Sequence, residues 1–285
     1  MCTSLRYVDV LNKAYVGRTL ELSLELPYQV AYFPQGQTLT STAAGFAPLS
    51  WAVQHAMIAV VMPAQILAEG QTLQANDFKV IEGVNTAGLS FSVQSYPQVG
   101  DNHGSLHADQ TTLSAVDIGA YVLGQYRSVE EVKAGLATLQ IALDQVPMLG
   151  GLRMPFHYSV HDASGASLVI EFHQGVLTIQ DNPVGVLTNA PQFSWHLTNL
   201  NNYTFLSNVA HSKGELLGHP LLQPGSGTAK IGLPVTDSSV DRFIRATYYA
   251  NFAEKASTAD EAVQMVAHIM NNFDPKKIVL TKYLF

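Results

Sequence analysis

A layered α+β fold is what this sequence predicts, on three observations. Leu20, Leu22, Leu24 and Leu26 alternate with Glu21, Ser23 and Glu25, the period of a half-buried strand. Ser128-Val129-Glu130-Glu131 and Thr258-Ala259-Asp260-Glu261 have the spacing of a capping box, in which a hydroxyl and a carboxylate satisfy the free N–H groups of a helix start. Along the chain, strand-like stretches give way to helices, then strands, then helices again, so sheets and helices should segregate into layers.

Taken in order, Leu5 to Val10 and Tyr15 to Leu26 read as two strands joined by a turn at Asn12-Lys13. In the second, Glu21 shares a face with Thr19 and Arg18 lies on the leucine face, so a regular strand separates Arg18 from Glu21 unless a bulge re-aims one of them. Tyr28 to Pro34 and Trp51 to Pro63 continue the strand pattern, Glu82 to Gly88 has turn chemistry, and Leu89 to Tyr96 returns as a strand. Ser105 to Thr112 is polar and reads as a loop. Leu113, Val116, Ala120 and Leu123 fall on one face of a helix spanning Leu113 to Tyr126. Ser128 opens a second helix that ends before Thr138. Phe156 to Val160, Ser167 to His173 and Val176 to Gln180 form a meander with a tight turn at Asp162 to Gly165. Pro191 to Tyr203 is helical with Pro191 in the first turn, Asp241 to Lys255 is helical, and Thr258 opens a helix through Met270. Lys277 to Phe285 is strand-like. No repeat, low-complexity tract or linker interrupts the chain, which predicts one domain over 1–285.

Composition narrows the function. Apolar residues make up 47% and charged ones 13%, the balance of a globular chain. A net charge of −7 argues against nucleic acid, which calls for a basic stripe. The longest apolar run, Ala56 to Ala68, contains Pro63 and is too short to span a bilayer. No secretory leader precedes Cys2, which implies a cytoplasmic protein, or a periplasmic one if a leader has been trimmed.

Cys2 is the only cysteine in 285 residues, so neither a disulfide framework nor a multi-thiolate metal site can form. Removal of Met1, normal before so small a residue, would put a thiol and a free α-amine on one residue. That residue would supply nucleophile and general base together, the arrangement known for N-terminal Thr nucleophiles. A nearby Arg would favour the thiolate and a carboxylate would hold the ammonium form; Arg18 and Glu21 are the candidates. The bland alternatives are an accidental cysteine and a solvated arginine. The ten histidines show no ligand spacing: His157 and His161 are four apart, at a strand and its turn. Gly225-Ser226-Gly227-Thr228 lacks the Lys of a phosphate loop and reads as a turn. Asn189, at the top of a strand and held by Pro191, could aim its amide as an oxyanion donor, although taken alone a turn-forming Asn-x-Pro is the better explanation. Arg242 and Arg245, three apart on a helix, would ordinarily be surface charges.

Together these stretches resemble the choloylglycine hydrolase family, the bile salt hydrolases and penicillin V acylases of the N-terminal-nucleophile hydrolase superfamily. The matching pieces run in one order: Met1-Cys2-Thr3, Gly17-Arg18, Gly83-Val84-Asn85 through Gly88-Leu89, Ser128 to Val132, Gly185 to Pro191 with Trp195 and Asn199-Leu200, Gly227-Thr228, Gly232-Leu233-Pro234 and Arg242 to Arg245. The resemblance implies a four-layer αββα sandwich and hydrolysis of a linear amide C–N bond through a thioester on Cys2. It implies Asn189 as oxyanion donor, paired with a backbone N–H near Ser95, with Arg18 and Arg242 as the active-site arginines. It also implies no metal or cofactor, a small acyl-amide substrate, and a homotetramer. Three features depart from the family pattern. Glu21 stands where the family has Asp. Phe91 to Pro97 lacks the Asn of bile salt hydrolases, and Tyr96 lies close to the place where penicillin V acylases carry Tyr. Phe285 comes before the family's last two strands. The missing Asn puts penicillin V-like or acyl-homoserine lactone-like amides ahead of conjugated bile salts, and Glu21 with the early end would mark an inactive, ligand-binding relative, the alternative of another class. An apolar pocket drawing on Tyr28, Phe33 and Trp51 would receive the acyl group.

Overall fold

The computed structural model describes residues 2–21, 26–64, 73–146 and 149–274. The strands of its first half are β1 (Cys2–Val8), β2 (Ala14–Leu20), β3 (Gln29–Phe33), β4 (Thr38–Ser41), β5 (Ala47–Ala52), β6 (Met57–Pro63), β7 (Phe78–Asn85), β8 (Ser90–Ser95) and β9 (Thr111–Ser114). After helices α1 (Ile118–Gln125) and α2 (Val129–Leu136) come β10 (Gln140–Ala142), β11 (Gln145–Val146), β12 (Leu152–Arg153), β13 (Phe156–His161), β14 (Ser167–His173), β15 (Val176–Asp181) and β16 (Val186–Leu187). Helix α3 (Phe193–Leu200), the hairpin β17 (Lys213–Leu216) and β18 (His219–Leu222), and helices α4 (Ser239–Phe252) and α5 (Ala259–Met270) follow.

A seven-stranded antiparallel sheet, β15-β14-β13-β8-β7-β6-β3, lies against a three-stranded one, β16-β1-β2. Helix α1 covers the far face of β7 and β8, and α4 and α5 cover β1 and β2. The order of layers is therefore helix, sheet, sheet, helix, the αββα sandwich. A smaller mixed sheet, β10-β9-β5-β4, flanks it.

Alternation along β1 assigns the faces. Leu5 and Tyr7 point into the cluster made with Phe193, Phe243, Ile244, Val266 and Ile269 under α4 and α5. Gly17, opposite Leu5, lies beneath α5, where an added Cβ would stand 2.6 Å from Val266 and 2.7 Å from Met270. Glycine there lets the helix sit down on the sheet. Cys2 and Ser4 face the large sheet instead. Ser4 Oγ lies 3.3 Å from Ser92 Oγ and 3.2 Å from Ser159 Oγ, with Gln94 Nε2 donating to both partners, at 3.1 and 3.3 Å. The interface between the sheets is thus polar at its centre, and the apolar cores lie outside it. On the other side of the large sheet, Phe91, Val93, Ile118, Val122 and Leu123 are all buried in the main cluster. Each such side chain contributes about 1.5–3 kcal/mol on burial.

Helix ends follow the capping signals with one substitution of partner. Thr258 and Glu261 form the full box at α5. At α2, Ser128 Oγ accepts from Glu131 N at 3.2 Å, but the Glu131 carboxylate accepts from the backbone N–H and Nε of Arg127. Three sequence expectations are corrected. Glu82 to Asn85 belong to β7 rather than to a turn. The helix expected from Leu113 begins at Ile118, because Thr111–Ser114 pair in parallel with β5 and β10. Pro191 precedes α3 rather than entering its first turn. Leu22 to Glu25 and Lys277 to Phe285 lie outside the described residues.

Candidate active site

The antiparallel register of β1 and β2 sets Cys2 opposite Leu20 and Ser4 opposite Arg18. Two-residue alternation then places the Arg18 side chain on the same face as Cys2, between the sheets. Cys2 is 2% exposed. Arg18 Nη2 lies 3.9 Å from its Sγ and also donates to the carbonyl of Val93. Arg18 Nη1 donates to Glu82 Oε2 at 3.2 Å. Burial raises the Glu82 carboxyl above its ordinary value, while the charge and hydrogen bond of Arg18 pull it back. A guanidinium held in this way is aimed at the sulfur and cannot swing out to solvent.

A second set of groups holds the Cys2 main chain. Cys2 N donates to Asn189 Oδ1 at 2.9 Å, and Arg242 Nη2 donates to the same oxygen at 2.8 Å. Two donors on one oxygen fix which end of the carboxamide is which. Asn189 Nδ2 accordingly faces the other way and donates to the carbonyl of Ser95 at 3.0 Å. Arg242 further donates to Cys2 O (2.5 Å), Thr3 Oγ1 (2.7 Å) and Asp237 O (3.0 Å). It is 1% exposed, so the expectation of a surface charge fails for Arg242: its helix face is the one laid on β1. Burial lowers its pKa, with the charges of Glu21 and Cys2 opposing.

Glu21 follows the last residue of β2, on the Thr19 side. Burial raises its carboxyl, and the hydrogen bond to Thr19 and the charge of Arg242 act against that. The strand thus separates Arg18 from Glu21 as its alternation implies. Arg18 pairs with Glu82 from a distant segment, and Glu21 feels the charge of Arg242. Cys2, Arg18, Asn189 and Arg242 converge, Glu21 is within electrostatic reach of Arg242, and Ser95 enters through its carbonyl. Sequence reasoning missed Glu82, whose neighbour Gly83 looks like part of a turn, and also missed the groups around Asn189. Of the expected pocket residues, Tyr28 is within electrostatic reach of Arg18 and Cys2, whereas Phe33 and Trp51 are core residues. A cavity of about 850 Å³ is lined by Met62, Val80 and Phe156 but also by Lys79, Asp117 and Arg153, and none of Cys2, Arg18, Asn189 and Arg242 lines it. Among the described residues no cluster of three His, Cys, Asp or Glu side chains could hold a metal ion.

A sequence profile of the linear amide C–N hydrolases, choloylglycine hydrolase family, matches residues 2–283. The chain belongs to this family. It is 29% identical to a bile salt hydrolase/transferase of Lactiplantibacillus plantarum over 97% of its own length and 80% of that protein's. Among solved structures it resembles a variant of conjugated bile acid hydrolase from Clostridium perfringens, with TM-score 0.76, 23% identity, and 95% and 79% of the two chains covered. It likewise resembles penicillin V acylase from Agrobacterium tumefaciens, with TM-score 0.73, 22% identity, and 99% and 75% covered. This choloylglycine hydrolase family member sets its first strand between a large sheet and a helical layer, and no described helix is long and apolar enough to cross a membrane.

Two buried histidines in this frame give it an acid limit. Burial lowers His161 to about 3, assisted by the charge of Arg6, and lowers His196 to about 4. Both folded values lie below that of an unfolded histidine, so their contribution is intact above about pH 6.5 and is lost as pH falls toward the folded values. Well inside that window each withdraws about 1.4 kcal/mol per pH unit. The urea midpoint should fall between pH 7 and pH 5, and by less in His161→Gln. An equal fall in both proteins would rule this origin out.

Proposed function

We propose that the protein hydrolyses a linear amide with Cys2 as an N-terminal nucleophile. The observation that carries this reading is the bond between Cys2 N and Asn189 Oδ1, with Arg18 on the thiol of the same residue. Once Met1 is removed, that nitrogen is the α-amine. It takes the thiol proton as sulfur attacks the amide carbon, and returns it to the leaving amine as the thioester forms. Water then cleaves the thioester. Asn189 Nδ2 carries two hydrogens, and Ser95 engages one of them. The other is the donor for the oxyanion, joined by a backbone N–H near Ser95.

The substrate class favoured here is a penicillin V-like or acyl-homoserine lactone-like amide. Its support is that β8 carries Ser, Phe, Ser, Val, Gln and Ser, with no Asn, and is followed by Tyr96. A second reading, hydrolysis of conjugated bile salts, is favoured by the relative from Lactiplantibacillus plantarum. Amine release from penicillin V, an acyl-homoserine lactone and a glycine-conjugated bile salt separates the two. Faster bile-salt turnover would replace the first with the second. No release from any substrate by folded protein lacking Met1 would mean an inactive, ligand-binding relative.

A further inference from the structure

We propose that His157 and His196 are positioning residues that clamp two consecutive carbonyls, those of Thr188 and Asn189, and thereby set the Asn189 carboxamide against Cys2. The proposal rests on the reading of Asn189 as part of the catalytic centre.

The geometry is specific. His157, on β13, is fully buried, with Nε2 3.0 Å from Thr188 O and Nδ1 2.9 Å from Glu171 Oε2. A carbonyl only accepts, so Nε2 carries a hydrogen and donates. A further proton lies between Nδ1 and the Glu171 carboxylate, on one side or the other. Glu171, on β14, is fixed in turn by the backbone N–H of Phe193, the first residue of α3. His196 comes from α3 itself. Its Nε2 lies 2.9 Å from Asn189 O, its ring stacks on Phe243 at 4.6 Å, and it too is fully buried. Burial keeps this ring neutral down to about pH 4, so Nε2 holds the single hydrogen and Nδ1 has no partner among the described residues. Ser239 completes the cage: its Oγ accepts from Asn189 N at 2.9 Å and bonds Thr188 Oγ1 at 3.0 Å.

Thr188 O, Asn189 N and Asn189 O flank the one side chain that bonds the Cys2 nitrogen. Burying an imidazole and a carboxylate together is a costly way to fill space, because an apolar pair of equal volume would do so at no loss of stability. What an apolar pair cannot do is hold a carbonyl in a set direction. A displacement of about 1 Å at a catalytic group can cost about 100-fold in rate.

The test is His196→Phe, in which a phenyl ring keeps the stack on Phe243 and removes the donor, with His157→Phe beside it, which keeps the stack on Tyr96 but also takes the Nδ1 partner from Glu171. Glu171→Gln is the conservative variant: its amide can donate to Nδ1 and so preserves the Nε2 hydrogen. Steady-state amine release and crystal structures are read together. The expected result for either Phe variant is a kcat lowered about 10- to 100-fold with KM within about 3-fold, and Asn189 displaced from the Cys2 nitrogen, whereas Glu171→Gln stays near wild type. Either Phe variant suffices if the other fails to fold. Unchanged kcat, or an Asn189 that stays in place, overturns the proposal. If the wild type releases no amine, the reading of the site as catalytic fails by itself, and the position of Asn189 in the variant crystals still decides the clamp.

Discussion

Replacing Cys2 by alanine is expected to lower amine release by at least about 1000-fold while leaving the fold intact. The size follows from chemistry: the variant keeps the oxyanion donor and the arginines, and loses both bond formation at sulfur and the thioester that divides one hard step into two easier ones. The fold should survive because alanine fills nearly the same space at a position paired with Leu20. Cys2 is the sole thiol, so no other side chain can substitute for it. Denaturing mass spectrometry of the wild type, quenched during turnover, should show an acyl adduct on the peptide beginning at residue 2. The same spectrum reports whether Met1 is gone. Substantial activity in Cys2→Ala would place the nucleophile elsewhere. Full activity with Met1 retained would remove the α-amine from the mechanism.

Much of this site is legible in the sequence because local patterning fixes it. The alternation of β2 tells which face Arg18 and Glu21 take, and the capping residues Ser128 and Thr258 mark helix starts that the structure keeps. What is illegible depends on distant partners. Glu82 looks like part of a turn because Gly83-Val84-Asn85 follows it. In the fold, Gly83 is a strand residue for another reason: an added Cβ would stand 2.8 Å from Leu123 and 2.9 Å from Ala59. Glycine there serves close packing of α1 on β7, and that packing leaves Glu82 facing Arg18. The start of the Leu113 helix is lost to the same kind of effect. Leu113 and Val116 satisfy a helical period, yet Thr112 is taken by Gln140 and Pro48 as a parallel strand neighbour. The clamp on Asn189 draws on β13, β14, α3 and α4, and no spacing along the chain announces it.

Arg242→Met should be nearly as damaging to activity as loss of the nucleophile, and it should also destabilise the protein. The methionine keeps the apolar stem but leaves Cys2 O, Thr3 Oγ1 and Asp237 O without the donor they share. Each buried acceptor stripped of its partner costs about 1–3 kcal/mol, and relaxation around the site should hold the total near about 3 kcal/mol. Glu21, already raised by burial, would lose the charge that lowers it, so its carboxyl should take up a proton more readily than in the wild type. Activity should fall at least about 100-fold, because Asn189 Oδ1 would lose one of its two donors and Cys2 O the guanidinium that fixes it, so the carboxamide and Cys2 could shift by about 1 Å. Arg242→Lys separates charge from geometry. One ammonium preserves the charge near Glu21 but cannot span Cys2 O, Thr3 Oγ1, Asn189 Oδ1 and Asp237 O at once. Its stability should therefore lie between wild type and Arg242→Met, while its activity stays close to that of Arg242→Met. Urea denaturation and amine release, measured on the same preparations, distinguish the two contributions. A lysine variant with wild-type turnover would show that charge alone is required, and the forked geometry would then have no part in catalysis.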